Sequence, residues 1–208
     1  MQANERTLYP NFARYAFNQV LLPLKLLIPQ PVIACVPYLT TNHEIRTGMV
    51  LALVEGKLLD IGCGTNDLVK QYRARGNEGT GVDVYPWPGL DLLVENTAQL
   101  PFPDQSFDTI TFVACLNHIP NRVEVLREAK RLLKPGGKLL ATNLTPGLSR
   151  FWHRWAFWDA DQHERGMAVG EVFGFTHRDL VTLVQGAGFQ FVHRQPFSWG
   201  LNNLYVFR

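Results

Sequence analysis

The sequence predicts an α/β fold: a mostly parallel, seven-stranded sheet with helices on both faces. Three observations carry this. The apolar run 58–61 enters a glycine turn, Gly62-Cys63-Gly64, and a helical segment follows. A second strand-like run, 79–82, ends in Asp83, some twenty residues on. Further short apolar runs then alternate with helical spacing towards the C-terminus, as stacked strand–helix units require.

The elements are read in order. Residues 1–48 form an N-terminal extension of short helices, with helical apolar spacing over 11–28 interrupted at Pro23. Residues 57–61 are the first strand and 66–75 the first core helix. Residues 80–83 and 90–95 are the next strands. Only 84–89 separate them, including Pro86 and Pro88, which leaves no room for a crossover helix. Residues 108–115 form a fourth strand and 122–133 a helix. On that helix Glu124 and Glu128, four apart beside Arg127 and Arg131, read as a solvated face. Lys134-Pro135-Gly136-Gly137 reads as a tight turn before a fifth strand at 138–144. Thr176 caps a helix that stops at the Gly186/Gly188 pair. Residues 189–194 and 204–208 make a closing antiparallel pair. The whole is one domain, with 49–208 as its core.

Composition narrows the function. The 208 residues are 46% apolar and carry a formal net charge of +2 with both signs interspersed, which leaves no electrostatic footprint for nucleic acid. The cysteines Cys35, Cys63 and Cys115 lack metal-binding spacing and are expected to be reduced thiols. No secretory pattern opens the chain, so a cytoplasmic location is expected. The apolar tract 20–39 contains four prolines and Lys25 and is rejected as a spanning helix. A peripheral contact of 11–39 with a membrane surface stays open but is not favoured.

A glycine turn after a buried strand, a helix N-terminus behind it and an acid closing the next strand describe an adenosine-cofactor site. A dinucleotide fingerprint requires a third glycine where this chain has Asp67, and a carboxylate there would repel a pyrophosphate. S-adenosylmethionine (SAM) has no phosphate and carries a sulfonium and an ammonium, so Asp60 and Asp67 suit it.

The ordered set Leu58–Asp67, Asp83, Asn96–Asp108, Leu116-Asn117-His118-Ile119-Pro120 and Lys134–Gly137 resembles the class I SAM-dependent methyltransferases, in their small-molecule branch, over about residues 56–145. The resemblance implies a Rossmann-like fold, SAM as cofactor and S-adenosylhomocysteine as product. It also implies site roles. Gly62 and Gly64, with Cys63 between them, would let backbone pass the methionine part, and Asp60 would orient the ammonium. Asp83 would accept the ribose hydroxyls and Val84 would pack on adenine. Asn96 stands where the family usually has aspartate and would accept from the adenine amino group. Thr97 would offer its backbone N–H, and Ala114 and Cys115 would border the sulfonium.

His118, just after the fourth strand, is the candidate base, since an unperturbed imidazole titrates near pH 6.5. His153 and His163 are weaker candidates, and Asp159, Asp161, His163 and Glu164 lack the spacing of a metal loop, so no metal is expected. Nucleic-acid amine methyltransferases share an Asn/Asp-Pro-Pro-aromatic element where this chain has Leu116–Ile119. The expected acceptor is therefore a small, apolar or aromatic molecule, with O-methylation favoured. The tryptophans of the 145–175 insertion are candidate walls for it. Two alternatives stay open: a SAM-binding regulatory or partner protein without turnover, and a peripheral membrane enzyme acting on a lipid-like acceptor.

Overall fold

A computed structural model describes residues 2–25, 27–147, 150 and 170–208. Most of the aromatic insertion, including Trp152, Trp155, Trp158, His153, His163 and the acidic residues beside it, lies outside the described residues, as does Leu26.

Seven strands form one sheet in the order β3-β2-β1-β4-β5-β7-β6. They are β1 (Leu58–Ile61), β2 (Gly79–Asp83), β3 (Leu92–Leu93), β4 (Phe107–Val113), β5 (Leu133–Leu144), β6 (Phe191–Phe197) and β7 (Asn202–Phe207). The first five are parallel, and β7 inserts antiparallel between β5 and β6. Side-chain alternation sorts the strand residues into two cores. Leu59, Ile61, Ile110, Leu139, Tyr205 and Phe207 pack under α6 (Arg122–Leu132) and α7 (His177–Gly186). Leu58, Leu140, Leu204 and Val206 pack on the other face with α4 (Asn42–Leu51) and α5 (Asp67–Arg73). β1 is buried along its whole length, as a central parallel strand must be.

Helix α4 starts at a full capping box, Thr41 with Glu44, and runs through residue 48 into the core. Its Ile45, Met49 and Val50 share a cluster with Leu58 of β1. Before it, α1 (Phe12–Val20), α2 (Leu22–Lys25) and α3 (Gln30–Ala34) are short. Lys25 turns inward to Asn18 Oδ1 at 3.2 Å, and burial pushes its pKa down.

No helix links β2 to β3. Asp91 substitutes for one by joining three elements: it accepts from Arg73 on α5 at 2.8 and 2.9 Å and from Gly81 N on β2 at 2.8 Å.

Two local expectations change. The Lys134–Gly137 turn lies inside β5: Leu133 pairs with Phe107 and Lys138 with Thr109, so the chain loops out and rejoins the same ladder. Gly136 takes φ +80 there, a conformation that favours glycine. Glu128 is not solvated. Its carboxylate is buried, accepts Leu100 N at 2.7 Å, and pairs with Arg131 at 2.6 and 2.8 Å. It anchors the 96–105 loop, which no helix-face pattern can report.

Candidate active site

The strand order reverses between β1 and β4, so their carboxyl ends splay apart and open a crevice. A cleft of about 730 Å³ lies there, within the usual range for small-ligand sites. Asp60, Gly62, Cys63, Gly64, Asp83, Val84, Asn96, Thr97, Ala114, Cys115 and His118 all line it.

The β1–α5 turn is held from below. Gly62 and Cys63 donate their N–H groups to Val82 O at 2.9 and 3.2 Å. Both glycines have positive φ, but for different reasons. A Cβ on Gly62 would meet the Cys115 side chain at 2.8 Å, so the packing of Cys115 by itself requires a glycine here. A Cβ on Gly64 would meet nothing within 4 Å. Gly64 N donates to Asp83 Oδ2 at 2.9 Å, and Tyr85 N donates to Asp83 Oδ1 at 3.0 Å. Each carboxylate oxygen keeps a second lone pair.

Asp60 is only 1% exposed and accepts from Thr111 Oγ1 at 2.6 Å. Burial pushes its carboxyl up to about 7, opposed by the Thr111 hydrogen bond and assisted by the nearby Asp83 charge. Burial likewise pushes the Cys63 thiol up, so neither a thiolate nor a metal ligand is favoured there.

Asn96 is engaged within its own loop and by Asn121. Its side-chain oxygen already accepts Ala98 N at 2.9 Å and Asn121 Nδ2 at 3.0 Å, which fills both lone pairs. Val84 stands 49% exposed on the cleft wall, near Trp87, whose ring lies 4.7 Å from that of Tyr85. Ala114 takes φ +55, a rare conformation for a residue with a Cβ, where β4 hands over to the 3-10 turn Leu116–His118. Cys115 Sγ donates to Ile61 O at 3.0 Å, tying that hand-over to β1.

His118 sits in this turn with Nδ1 3.1 Å from Glu171 Oε2. Glu171 lies 53 residues along the chain, and the sequence held no signal for it. Also unforeseen are His43, Arg46 and Thr47, which α4 contributes to the cleft. Their helix sits outside the motifs, and only packing on β1 brings it there.

SAM can be tested against this donor set. Two buried carboxylates, Asp60 and Asp83, end adjacent strands at the cleft, and the glycine turn offers open backbone at Gly64. Among the described residues no ion pair to either acid is seen, and buried acids suit an ammonium or sulfonium and repel phosphate. The residues fit SAM.

Fold and cleft together define a class I SAM-dependent methyltransferase. A family model described as "Methyltransferase domain" matches residues 42–194, and the chain belongs to that family. It is 30% identical over 178 residues to a demethylmenaquinone methyltransferase of Lactiplantibacillus plantarum, covering 69% of this chain and 74% of that protein. It is 28% identical over 131 residues to a ubiquinone/menaquinone biosynthesis C-methyltransferase of Brucella canis, covering 56% of this chain and 48% of the relative. The matched stretches span between 42% and 74% of such relatives' own lengths. In fold, the chain is similar to a SAM-dependent methyltransferase structure from Thermotoga maritima, described as a possible histamine N-methyltransferase. The TM-score is 0.60 at 20% identity, over 78% of this chain and 86% of that one.

Proposed function

We propose that this protein transfers a methyl group from SAM to a quinol-type aromatic acceptor, at a ring carbon. The observation that carries the reading is one cleft lined by buried Asp60, buried Asp83 and His118. The quinone names of the relatives support the acceptor class, and the C-methyltransferase name of the Brucella relative supports carbon over the oxygen favoured by the sequence.

SAM supplies a methyl already activated on sulfur, so the protein's task is positioning, which in the best intramolecular cases supplies roughly 7–11 kcal/mol. Asp83 receives the ribose hydroxyls on its remaining lone pairs. Val84 and Trp87 give the adenine ring apolar walls, and Thr97 offers it a backbone N–H. Asn96 braces the loop through Ala98 and Asn121 rather than reading the ring. Asp60 faces the ammonium, and Ala114 and Cys115 border the sulfur side. His118 takes the hydroxyl proton of the acceptor. Electron density moves to the adjacent ring carbon, which bonds the methyl carbon as the methyl–sulfur bond breaks. The proton on that carbon then leaves to water, which restores the aromatic ring, and the oxygen takes its proton back from His118, leaving methylated quinol and S-adenosylhomocysteine.

Methyl transfer from labelled SAM to demethylmenaquinol is the test. His118→Ala should cut turnover at least about tenfold, at the low end of general-base effects, with SAM affinity intact. Unchanged turnover would remove His118 as the base. A methoxy rather than a ring-methyl product would move the reaction to oxygen. SAM binding without transfer to any quinol would favour the non-catalytic alternative.

A second reading has its own observation. Between residues 12 and 38, Phe17, Val20, Leu24, Leu27, Val32 and Tyr38 stand exposed. That span carries only two charged residues. Lys25 is buried, and Arg14 Nε donates to Tyr38 O at 3.2 Å. An apolar, nearly uncharged surface suits the boundary of a bilayer that holds a lipid-soluble acceptor. Among the described residues no helix is long and apolar enough to cross a membrane. The full chain should co-sediment with neutral phosphatidylcholine vesicles, and a Val20→Glu, Leu24→Glu, Leu27→Glu variant should lose about tenfold or more of that partition. Equal partition of both proteins, or none by either, would end this reading.

A further inference from the structure

We propose that Thr111 is a positioning residue for the cofactor: its hydroxyl holds the Asp60 side chain at the cleft as a carboxylate, so that a full negative charge meets the cofactor's ammonium. The proposal rests on Asp60 facing that ammonium.

The pair is built into the sheet. Asp60 and Thr111 stand opposite each other in the parallel β1–β4 ladder. Residues paired in this way share a sheet face. It is the face covered by α4 and α5, where Leu58 and Val113, two residues away on either strand, also pack. Thr111 and Asp60 are both buried. The hydroxyl lies 2.6 Å from Asp60 Oδ1 and 3.4 Å from Leu59 O. The shorter distance is that of O–H donation to an ionised oxygen. With one proton to give, the hydroxyl serves the nearer, charged acceptor. Among the described residues no other group donates to this carboxylate.

A second threonine on the same face shows the contrast. Thr109 accepts Glu55 N at 3.1 Å and donates to Glu55 O at 2.7 Å, so its hydroxyl clamps backbone. Valine would suit a buried strand at 111 equally well in shape. A buried hydroxyl instead has to find partners, and the one it finds closest is the acid at the cleft.

Charge balance explains the consequence. Burial pushes the Asp60 carboxyl up to about 7, and the Asp83 charge at the end of β2 adds to this. The Thr111 hydrogen bond works against both, because it favours the ionised form. On α4 the cleft also carries Arg46 and His43, and on α5 Asp67. Glu95 lies beyond β3, Cys63 in the glycine turn, and Cys115 and His118 after β4. These groups stay in every variant at 111, so a comparison of variants isolates the hydroxyl. Without it the acid keeps its proton to higher pH, and a protonated acid offers an ammonium no charge.

The experiment compares wild type, Thr111→Val, Thr111→Ser and Asp60→Asn as full chains. Carbon-13 spectra of labelled aspartate follow the Asp60 carboxyl of the free protein across roughly pH 5.5 to 9, its signal identified by its loss in Asp60→Asn. Calorimetry with S-adenosylhomocysteine covers the same range. In Thr111→Val the carboxyl titration and the rise of affinity with pH should both move up by about one pH unit or more, the equivalent of one hydrogen bond to a charged group. Affinity should then lie about fivefold or more below wild type at pH 7 and approach it near pH 9, where the carboxyl is ionised in both. Thr111→Ser keeps the donor and should restore both profiles. An unmoved carboxyl titration in Thr111→Val, or an affinity loss equal at every pH, would overturn the positioning role. Should the valine variant not fold, Thr111→Ala carries the same two readouts. If the carboxyl titration moves while wild type, Thr111→Val and Asp60→Asn share one affinity profile, the ammonium reading of Asp60 fails, and the cofactor role of Thr111 fails with it.

Discussion

Asp83→Ala is expected to weaken binding of both SAM and S-adenosylhomocysteine at least about a hundredfold. The carboxylate is buried at the end of β2 and has two duties. It accepts Gly64 N and Tyr85 N, holding the glycine turn to the second strand. Its remaining lone pairs are proposed to take the two ribose hydroxyls. Hydrogen bonds to a charged group contribute about 1.5–3 kcal/mol each, so losing two costs about 3 kcal/mol or more. Calorimetry of both ligands checks this, with thermal unfolding to verify the fold. Asp83→Asn keeps one acceptor oxygen and should fall between wild type and alanine. An alanine variant binding within about threefold of wild type would remove Asp83 from the ribose contact, since losing one such bond costs at least about tenfold.

Asp60→Asn should stabilise the free protein while weakening SAM binding and abolishing its pH dependence below neutrality. Burial raises the Asp60 carboxyl from its ordinary 3.8 to about 7. The folded state therefore holds a proton that the unfolded state has released between those values, and stability falls as pH rises through that window. A separation of about three pH units corresponds to roughly 4 kcal/mol. Asparagine carries no charge and escapes the loss, so the variant's unfolding temperature at pH 7.5 should exceed that of wild type. Binding an ammonium against Asp60 requires the carboxylate, so complex formation below pH 7 expels a proton. Wild-type affinity should drop nearly tenfold from pH 6.5 to pH 5.5, the limit set by one coupled proton. The variant should bind more weakly at pH 7.5 and show no such slope. A destabilised variant, or one with the wild-type slope, would show that the burial of Asp60 is not what couples protons to the cofactor.

Much of this molecule could be read from local patterns. Strands β1, β2 and β4 announced themselves as apolar runs ending in Asp83 or a turn, and the missing β2–β3 helix followed from the six residues and two prolines between those strands. The cleft residues at and just after the ends of β1, β2 and β4 were legible because sequence position and spatial position coincide there, whereas His43, Arg46 and Thr47 of α4 were not.

What stayed hidden was set by contacts distant along the chain. Glu128 showed a solvated spacing yet is buried, because Leu100 N, 28 residues earlier, satisfies it alongside Arg131 of its own helix. The Lys134–Gly137 loop-out has the composition of an ordinary turn, and only its pairing with Phe107 and Thr109 places it within a strand. Asn96 presented an acceptor whose capacity the neighbouring Asn121 consumes. At Gly62 the obstacle to a Cβ is Cys115, from another strand's end, a packing demand no local motif reports.

The sequence by itself determined the order of strands and helices and the place of the glycine turn, because periodicity and turn residues act over a few positions. Only the tertiary structure decided which acids lie buried at the cleft, which glycine has open space beside it, and which carboxylate faces His118. Those depend on what the sheet's crossovers bring alongside, and no spacing along the chain encodes a neighbour 53 residues away.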